Sequence, residues 1–551
     1  MDAITGWLLV LLLLSCLAQP VASLCGREDL HRVGFLLTSA ILTVLSLVVF
    51  REPVIWQGPT LFTLDSFHQV GCHFSVSLIQ LPLLWMVWWW MSDRSQNPQR
   101  PLERSWLLAL VMVFLICDDV WLWTVTLVDC SSLQQTILRS KHGSSGEFTI
   151  LRGCHWMAIL LLIVVAGILS FDFGISTFSE LPEALLSWDS FSDIQQADLM
   201  LAATLGTLSL ILLSTAYPFS VLRIQCEPES DLELVSLMFA AAVFMKLIPM
   251  LAVMDVTSNY LTLLLLTIVV STICSWSLPQ RKQSRRATLM AFLMLGLFGM
   301  FVPGDQRLNL LGLEQFLLTT ILWKLWESEE VGSLFHCWIM TAIGFWMIVG
   351  LSGWTWAIRS SGILGENQNL VGLVVGLIAV GISISLSREI ILDWGTRHQE
   401  NNATGRGRTS GLLFVSVVVV IATTRILLVT QGVGWLVVPH WQASVGLLVG
   451  TVYILMRRRV SSNGVIPRTG SFQRLIESHF HVLTIWRVIA CIPTGLVTLF
   501  DSLTELSKSR LQRRRIHEPK SVESSPSFVW ELVLGGISFL LLAGLFLWMK
   551  G

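Results

Sequence analysis

The sequence predicts an all-α fold, a polytopic transmembrane helical bundle of about 12–15 spans. Three observations carry this. Hydrophobic residues make up 53% of the 551 residues and charged residues 13%, where a soluble domain carries about 25% charge to cover its surface. Apolar runs long enough to cross the hydrocarbon recur along the chain without period-2 alternation, which favours helices over a closed barrel. The mean hydropathy is +0.69, and 24 Trp stand against 3 Tyr; Trp suits the headgroup level, where an apolar ring and one N–H donor are both satisfied.

Residues 1–23 come first. Their apolar core, Trp7 to Leu14, is short and is followed by Pro20, Val21, Ala22 and Ser23. Small residues at that place suit a cleaved secretory signal peptide. The alternative is a retained first span, because Asp2 is the sole charge before Arg27.

The multi-span region, residues 24–456, follows. Its spans are read as Val33–Phe50, Phe74–Met91, Trp106–Val128, Cys154–Phe171, Leu199–Leu222, Leu234–Met254, Leu261–Leu278 and Ala287–Val302. They continue with Leu308–Trp326, Leu334–Ile358, Leu370–Leu386, Gly411–Val429 and Trp435–Met456. Leu308–Trp326 carries Glu314 and Lys324, yet the alternation of basic and acidic loops requires it to cross. Residues 457–527 form a basic cytosolic region, with an amphipathic interfacial helix over 471–500. Residues 528–551 hold a separate C-terminal anchor, Phe528–Met549.

Orientation follows the positive-inside bias. Arg281, Lys282, Arg285 and Arg286 place the loop Pro279–Arg286 in the cytoplasm, as do Arg457, Arg458 and Arg459 for theirs. Asp172 to Asp198 holds six acids and no Lys or Arg, so it is read as a lumenal loop. Asn402 heads the one glycosylation sequon, in a loop whose arginines place it in the cytoplasm, where it stays silent.

Ten cysteines show no CxxC pair and no metal-ligand spacing; Cys130 and Cys154 bracket a polar loop that they could bridge in an oxidising compartment. No HExxH, P-loop or GxSxG pattern occurs, so no catalytic residue, cofactor or metal is expected. A net charge of −1 argues against a nucleic-acid partner.

Charges inside apolar runs are the candidate functional residues. Asp118 and Asp119 sit in the middle of Trp106–Val128, as a cation or proton relay, or else as a packing pair or a helix break. Lys246 and Arg425 are the obvious counter-charges, with snorkelling to the interface as the alternative for Arg425. Gly372 with Gly376, and Gly446 with Gly450, match GxxxG, which lets helix backbones approach within the chain or in a homo-oligomer. Trp85, Trp88, Trp89 and Trp90 read as an interfacial anchor.

Taken together, the leading signal of residues 1–23, the dense Trp-rich spans with minimal loops, and dibasic strings such as Arg285-Arg286 resemble the multi-spanning membrane proteins of flavi-like RNA viruses. The likeness is strongest to the large membrane protein of the segmented jingmenvirus group. The resemblance implies a structural or scaffolding component of a viral envelope or of an endoplasmic-reticulum-derived membrane. Its partners would be the lipid bilayer and other viral membrane proteins. The alternative is a secondary transporter or channel with a polar site around Asp118, Asp119 and Lys246.

Overall fold

The computed structural model describes residues 2–24, 28–49, 52–63, 69–92, 101–142, 146–186, 191–214, 230–253, 258–277, 281–301, 306–327, 338–348, 350–351, 368–397 and 408–430. Trp435–Met456, the 471–500 helix, the C-terminal anchor, Asn402, Gly446 and Gly450 lie outside them. The described chain falls into two compact units. The first takes in Met1–Ser77 and Asn97–Leu213; the second takes in Leu78–Gln96 and the described part of Ser214–Ile485.

In the first unit, α1 (Asp2–Leu24) and α2 (Glu28–Val49) form a hairpin. Leu9, Leu12 and Cys16 are buried, whereas Trp7, Leu11 and Leu14 are exposed. An apolar outer face is what a lipid-facing helix presents, because lipid needs no polar covering. The Ser15 and Thr38 hydroxyls meet between the helices at 3.0 Å, one of the few polar contacts that can bind helices in hydrocarbon. The segment read as a signal peptide is thus α1, packed on α2, on α4 (Pro101–Ile116) and on a strand.

That strand corrects the all-α expectation. β1 (Val54–Thr63) pairs antiparallel with β2 (Gln69–Val76), in a register that sets Trp56 opposite Phe74 and Gln57 opposite His73. The Trp56 and Phe74 rings stack at 5.6 Å. Among the described residues the fold is therefore mostly helical with one β hairpin. The span read as Phe74–Met91 starts in β2, and only Leu81–Ser92, which is α3 and belongs to the second unit, is α-helical. β-branched and aromatic residues at 54–56, 74 and 76 favour a pleated strand, but they merge with the next apolar run when read by hydropathy alone.

The first unit continues with α5 (Val120–His142) and α6 (Gly146–Gly167), then a π turn (Ile168–Asp172), a 3₁₀ turn (Phe178–Glu180), the short α7 (Leu181–Leu186) and α8 (Asp193–Ser214). Gly174 takes a positive φ of 66°, which glycine adopts without strain and which turns the chain back. Leu151–Asp172 and Asp193–Leu213 are each long and apolar enough to cross a membrane. Cys130 and Cys154 are free, buried thiols.

The second unit comprises α3, α9 (Ser230–Val253), α10 (Ser258–Ser277), α11 (Arg281–Phe301) and α12 (Gln306–Glu327). Its described part ends with α13 (Trp338–Ile348), α14 (Gln368–Arg397) and α15 (Arg408–Thr430). Leu308–Trp326 falls within α12. The basic string Arg281–Arg286, read as a loop, is the first turns of α11; Arg286 is 4% exposed. α11 and α12 touch backbone to backbone. A Cβ on Gly296 would lie 2.8 Å from Phe316 N and 2.9 Å from Gly312 O, so only hydrogen fits. Trp85, Trp88 and Trp89, read as an interfacial anchor, are buried in α3.

Gly296→Ala should therefore destabilise the protein, by about 1–3 kcal/mol from overpacking. Gly381→Ala should be neutral or gain up to about 1 kcal/mol from helix propensity, because its Cβ would meet only Thr272 Cγ2 at 3.4 Å. Chemical unfolding in detergent micelles measures both.

Candidate functional site

Each unit buries charge, and in different ways. In the first, the run Trp106–Val128 is not one helix. α4 ends at Ile116 and α5 begins at Val120, and Cys117, Asp118 and Asp119 lie between them in extended backbone. Asp119 starts the new helix: its C=O accepts from Trp123 N–H at 2.9 Å. Its Oδ1 accepts from Trp121 N–H at 3.0 Å and Leu122 N–H at 2.8 Å. A carboxylate at this position satisfies helix donors that have no partner in their own turn. Oδ2 accepts from Gly71 N–H of β2 at 2.8 Å.

The rest of the break is closed by backbone. Asp118 N–H donates to His73 O at 2.8 Å, Phe178 N–H donates to Asp118 O at 2.9 Å, and Val120 N–H donates to Ser176 O at 3.0 Å. Part of the acidic stretch read as a lumenal loop is thus folded onto the broken helix. Trp123 packs on Phe114 at 5.0 Å and on Phe178 at 5.1 Å. Irregular backbone survives in a membrane protein only where protein or water covers it, and here protein does. Asp119, 1% exposed, acts as a cap.

In the second unit the charges pair with each other. Glu314 on α12 is 3% exposed and Arg425 on α15 is 1% exposed. Arg425 Nη2 donates to Glu314 Oε1 at 3.2 Å. Trp346 on α13 donates its Nε1–H to the same oxygen, and the Arg425 guanidinium lies over the Trp346 ring, 5.1 Å from its centroid. Glu314 Oε2 and Arg425 Nε and Nη1 are buried without a hydrogen-bond partner among the described residues. Lys324, 2% exposed and ten residues further along α12 (about 15 Å at 1.5 Å per residue), sets its Nζ 5.3 Å from the Trp89 ring.

A second ionic group lies where α10, α11 and α14 meet. Glu389 takes Arg388 at 2.7 Å and Arg285 at 3.3 Å. Arg388 Nη2 also donates to Ser275 O at 2.8 Å and to the Ser284 hydroxyl. The Ser275 and Ser385 hydroxyls meet at 2.9 Å. Arg285 covers the Trp326 ring at 5.6 Å. This group ties α10 and α11 to α14, and none of the buried Arg285, Arg388 and Glu389 polar atoms among the described residues lacks a hydrogen-bond partner.

The residues singled out in the sequence are therefore distributed as follows. Asp118 and Asp119 lie together at the helix break of the first unit. Lys246, 7% exposed, is in the second unit on α9, which runs on through Pro249. Arg425 does not snorkel; it is buried against Glu314. Gly372 and Gly376 lie on α14, with Gly376 buried. Glu314, Lys324, Arg388 and Glu389 were not singled out as site residues, although an ionisable group inside an apolar run is the signal that finds them. Among the described residues no group of three His, Cys, Asp or Glu could hold a metal.

No protein-family model matches the sequence, and no curated protein matches it. Among solved structures, a chain of the Mrp complex from Dietzia sp. DQ12-45-1b superposes with a TM-score of 0.55 at 14% identity, over 95% of this chain and 64% of its own length. A chain of the membrane-bound sulfane sulfur reductase, an archaeal respiratory membrane complex, gives 0.53 at 12% identity, over 97% of this chain and 99% of its own. The present chain thus spans 64% of the Mrp chain it resembles. These likenesses show a mostly helical, multi-pass membrane-protein fold. They overturn the resemblance to the jingmenvirus membrane protein and the viral scaffold reading built on it. Trp-rich spans, short loops and basic strings follow from positive-inside topology in any large helical membrane protein, so they do not discriminate.

Asp119→Ala should lower stability by about 3 kcal/mol, because three N–H donors, two of them in buried bonds, lose their acceptor at about 1–3 kcal/mol each and relaxation recovers part. Asp119→Asn should cost less, losing chiefly the Gly71 bond. Arg425→Met should cost about 3–5 kcal/mol by leaving Glu314 unpaired, and Glu314→Gln/Arg425→Met should recover a large part of that. Unfolding in mixed detergent micelles checks each variant.

Proposed function

We propose that the chain is an antiporter-like, ion-translocating subunit of a larger membrane complex, with no covalent chemistry of its own. The observation that carries this reading is the buried Glu314–Arg425 pair, seated on two apolar helices and leaving three of its polar atoms without a hydrogen bond among the described residues. Replacing a buried ion pair with apolar residues of similar size is often neutral or stabilising, and a charge in a membrane helix costs several kcal/mol to insert. The Glu389 group shows that buried charge can serve packing when every partner is satisfied; the Glu314–Arg425 pair leaves polar atoms over. A pathway for ions needs fixed charge of this kind.

The fold supports the same reading. The solved structures it resembles are chains of the Mrp complex and of a respiratory membrane complex. Among those resemblances, assembly with other membrane subunits is the natural setting, and the lipid-facing apolar residues of α1 and α2 fit a bilayer around it. Lys324, on the same helix as Glu314, extends the polar groups along α12 and belongs to the same pathway.

The test is charge movement. Full-length protein in liposomes adsorbed to a solid-supported membrane should give capacitive currents after a jump in pH or in monovalent cation. Glu314→Gln should lower them at least about tenfold, the factor that about 1.4 kcal/mol of lost stabilisation produces. Asp119→Asn, once corrected for the amount of folded protein, should leave them near the wild-type level. Wild-type currents no larger than those of empty liposomes would overturn the proposal.

A further inference from the structure

We infer that the stretch joining two membrane-crossing helices of the first unit, Asp172 to Asp198, is a docking surface for another polypeptide, one that offers a basic, amphipathic helix. The inference rests on the reading of this chain as a subunit of a larger complex and uses nothing of its ion translocation.

Two apolar side chains mark the surface. Leu186, at the end of α7, is 88% exposed, and Ile194, in the first turn of α8, is 74% exposed. These are the highest values for large apolar side chains among the described residues. Hydrocarbon does not account for Leu186. The flanking spans run Leu151–Asp172 and Asp193–Leu213, so Leu186 stands between them and Ile194 stands where the second begins. Apolar side chains this exposed outside the hydrocarbon mark a surface that another molecule covers.

The described residues around them are held firmly. Gly174 N–H donates to Ser170 O and Ile175 N–H to Leu169 O, both at 3.0 Å. Glu180 Oε2 accepts from Ser176 N–H at 2.9 Å and from Thr177 N–H at 3.3 Å. The Phe173 and Phe191 rings meet edge to face at 5.3 Å. At the start of α8, Ser192 N–H donates to Gln195 Oε1 at 3.1 Å. A surface fixed in advance gives up little freedom when it binds.

Charge selects the occupant. The stretch holds six acids and no Lys or Arg. Glu183, three residues before Leu186 on α7, and Asp193, next to Ile194, are both exposed. Carboxylates repel the phosphates of a bilayer surface, which draws basic segments instead. A second copy of this chain docked symmetrically through the same surface would set the same acids against each other. A helix with Lys or Arg beside an apolar row suits both features. Its apolar side chains take Leu186 and Ile194 out of water, and its cations meet the carboxylates at the rim. Leu186 and Ile194 are eight residues apart in the chain and hence at most about 29 Å apart in space. A helix of about 20 residues, about 30 Å long, reaches both.

The test uses the full chain in phosphatidylcholine nanodiscs. The probe is a fluorescent helical peptide of about 20 residues with leucine on one face and lysine on the other. One matched peptide carries glutamate in place of lysine, and another keeps the composition but scatters the leucines. Anisotropy should show the first peptide binding at least about tenfold more tightly to loaded than to empty nanodiscs, and at least about tenfold more tightly than either matched peptide. Binding should weaken as salt is raised. Leu186→Ser with Ile194→Ser should lower affinity at least about tenfold. Glu183→Gln with Asp193→Asn should lower it and flatten the salt dependence. All four positions are exposed, and size-exclusion profiles matching the wild type establish that the variants are folded.

Equal binding to loaded and empty nanodiscs assigns the affinity to lipid and overturns the inference. So does equal binding of the glutamate peptide, or undiminished binding by the folded serine variant. Self-association of the wild type in detergent that the serine substitutions abolish names a second copy as the occupant and overturns it too. The charge-movement measurement is independent of all of these outcomes, so either reading can fail while the other stands.

Discussion

Hydrocarbon solvates neither backbone dipoles nor charges, so each polar group within it has to find a partner inside the protein. The two units meet this constraint by different means. The first has a broken helix and closes the break with backbone: β2 on one side, residues 176–178 on the other, and the Asp119 carboxylate across the exposed N–H groups of α5. The second keeps its helices whole and pairs charge with charge, Glu314 with Arg425 and Glu389 with Arg285 and Arg388.

The difference matters for function. A carboxylate whose oxygens are all committed to backbone N–H groups is a structural element, and Asp119 is of that kind. The Arg388–Glu389–Arg285 group is likewise closed on itself and holds three helices in place. Glu314 and Arg425 differ because their pairing leaves an acceptor and two donors over.

Sequence reading located most helices of the second unit, since α9 to α15 each overlap an expected span. It missed the β hairpin, and at Asp118–Asp119 it offered a helix break only as an alternative to a continuous span, for one reason in both cases. Hydropathy sums over about 20 residues, and the hairpin strands and the capped break are both apolar enough to vanish in that sum. The aspartates were visible as anomalies, but their role depends on Gly71 and His73, more than forty residues earlier in the chain. The viral resemblance rested on composition and loop style, which membrane topology imposes on many unrelated proteins.

By itself the sequence determined the solvent of this chain: few charges, long apolar runs and basic strings make it a multi-pass membrane protein of helices. These are local properties that no tertiary contact can reverse. Only the tertiary structure decided which buried charges meet. Glu314 and Arg425 are 111 residues apart in the chain, and nothing local to either residue names the other. Their pairing follows from the packing of α12 against α15 with α13 alongside, where Trp346 supplies both a hydrogen bond and a ring face.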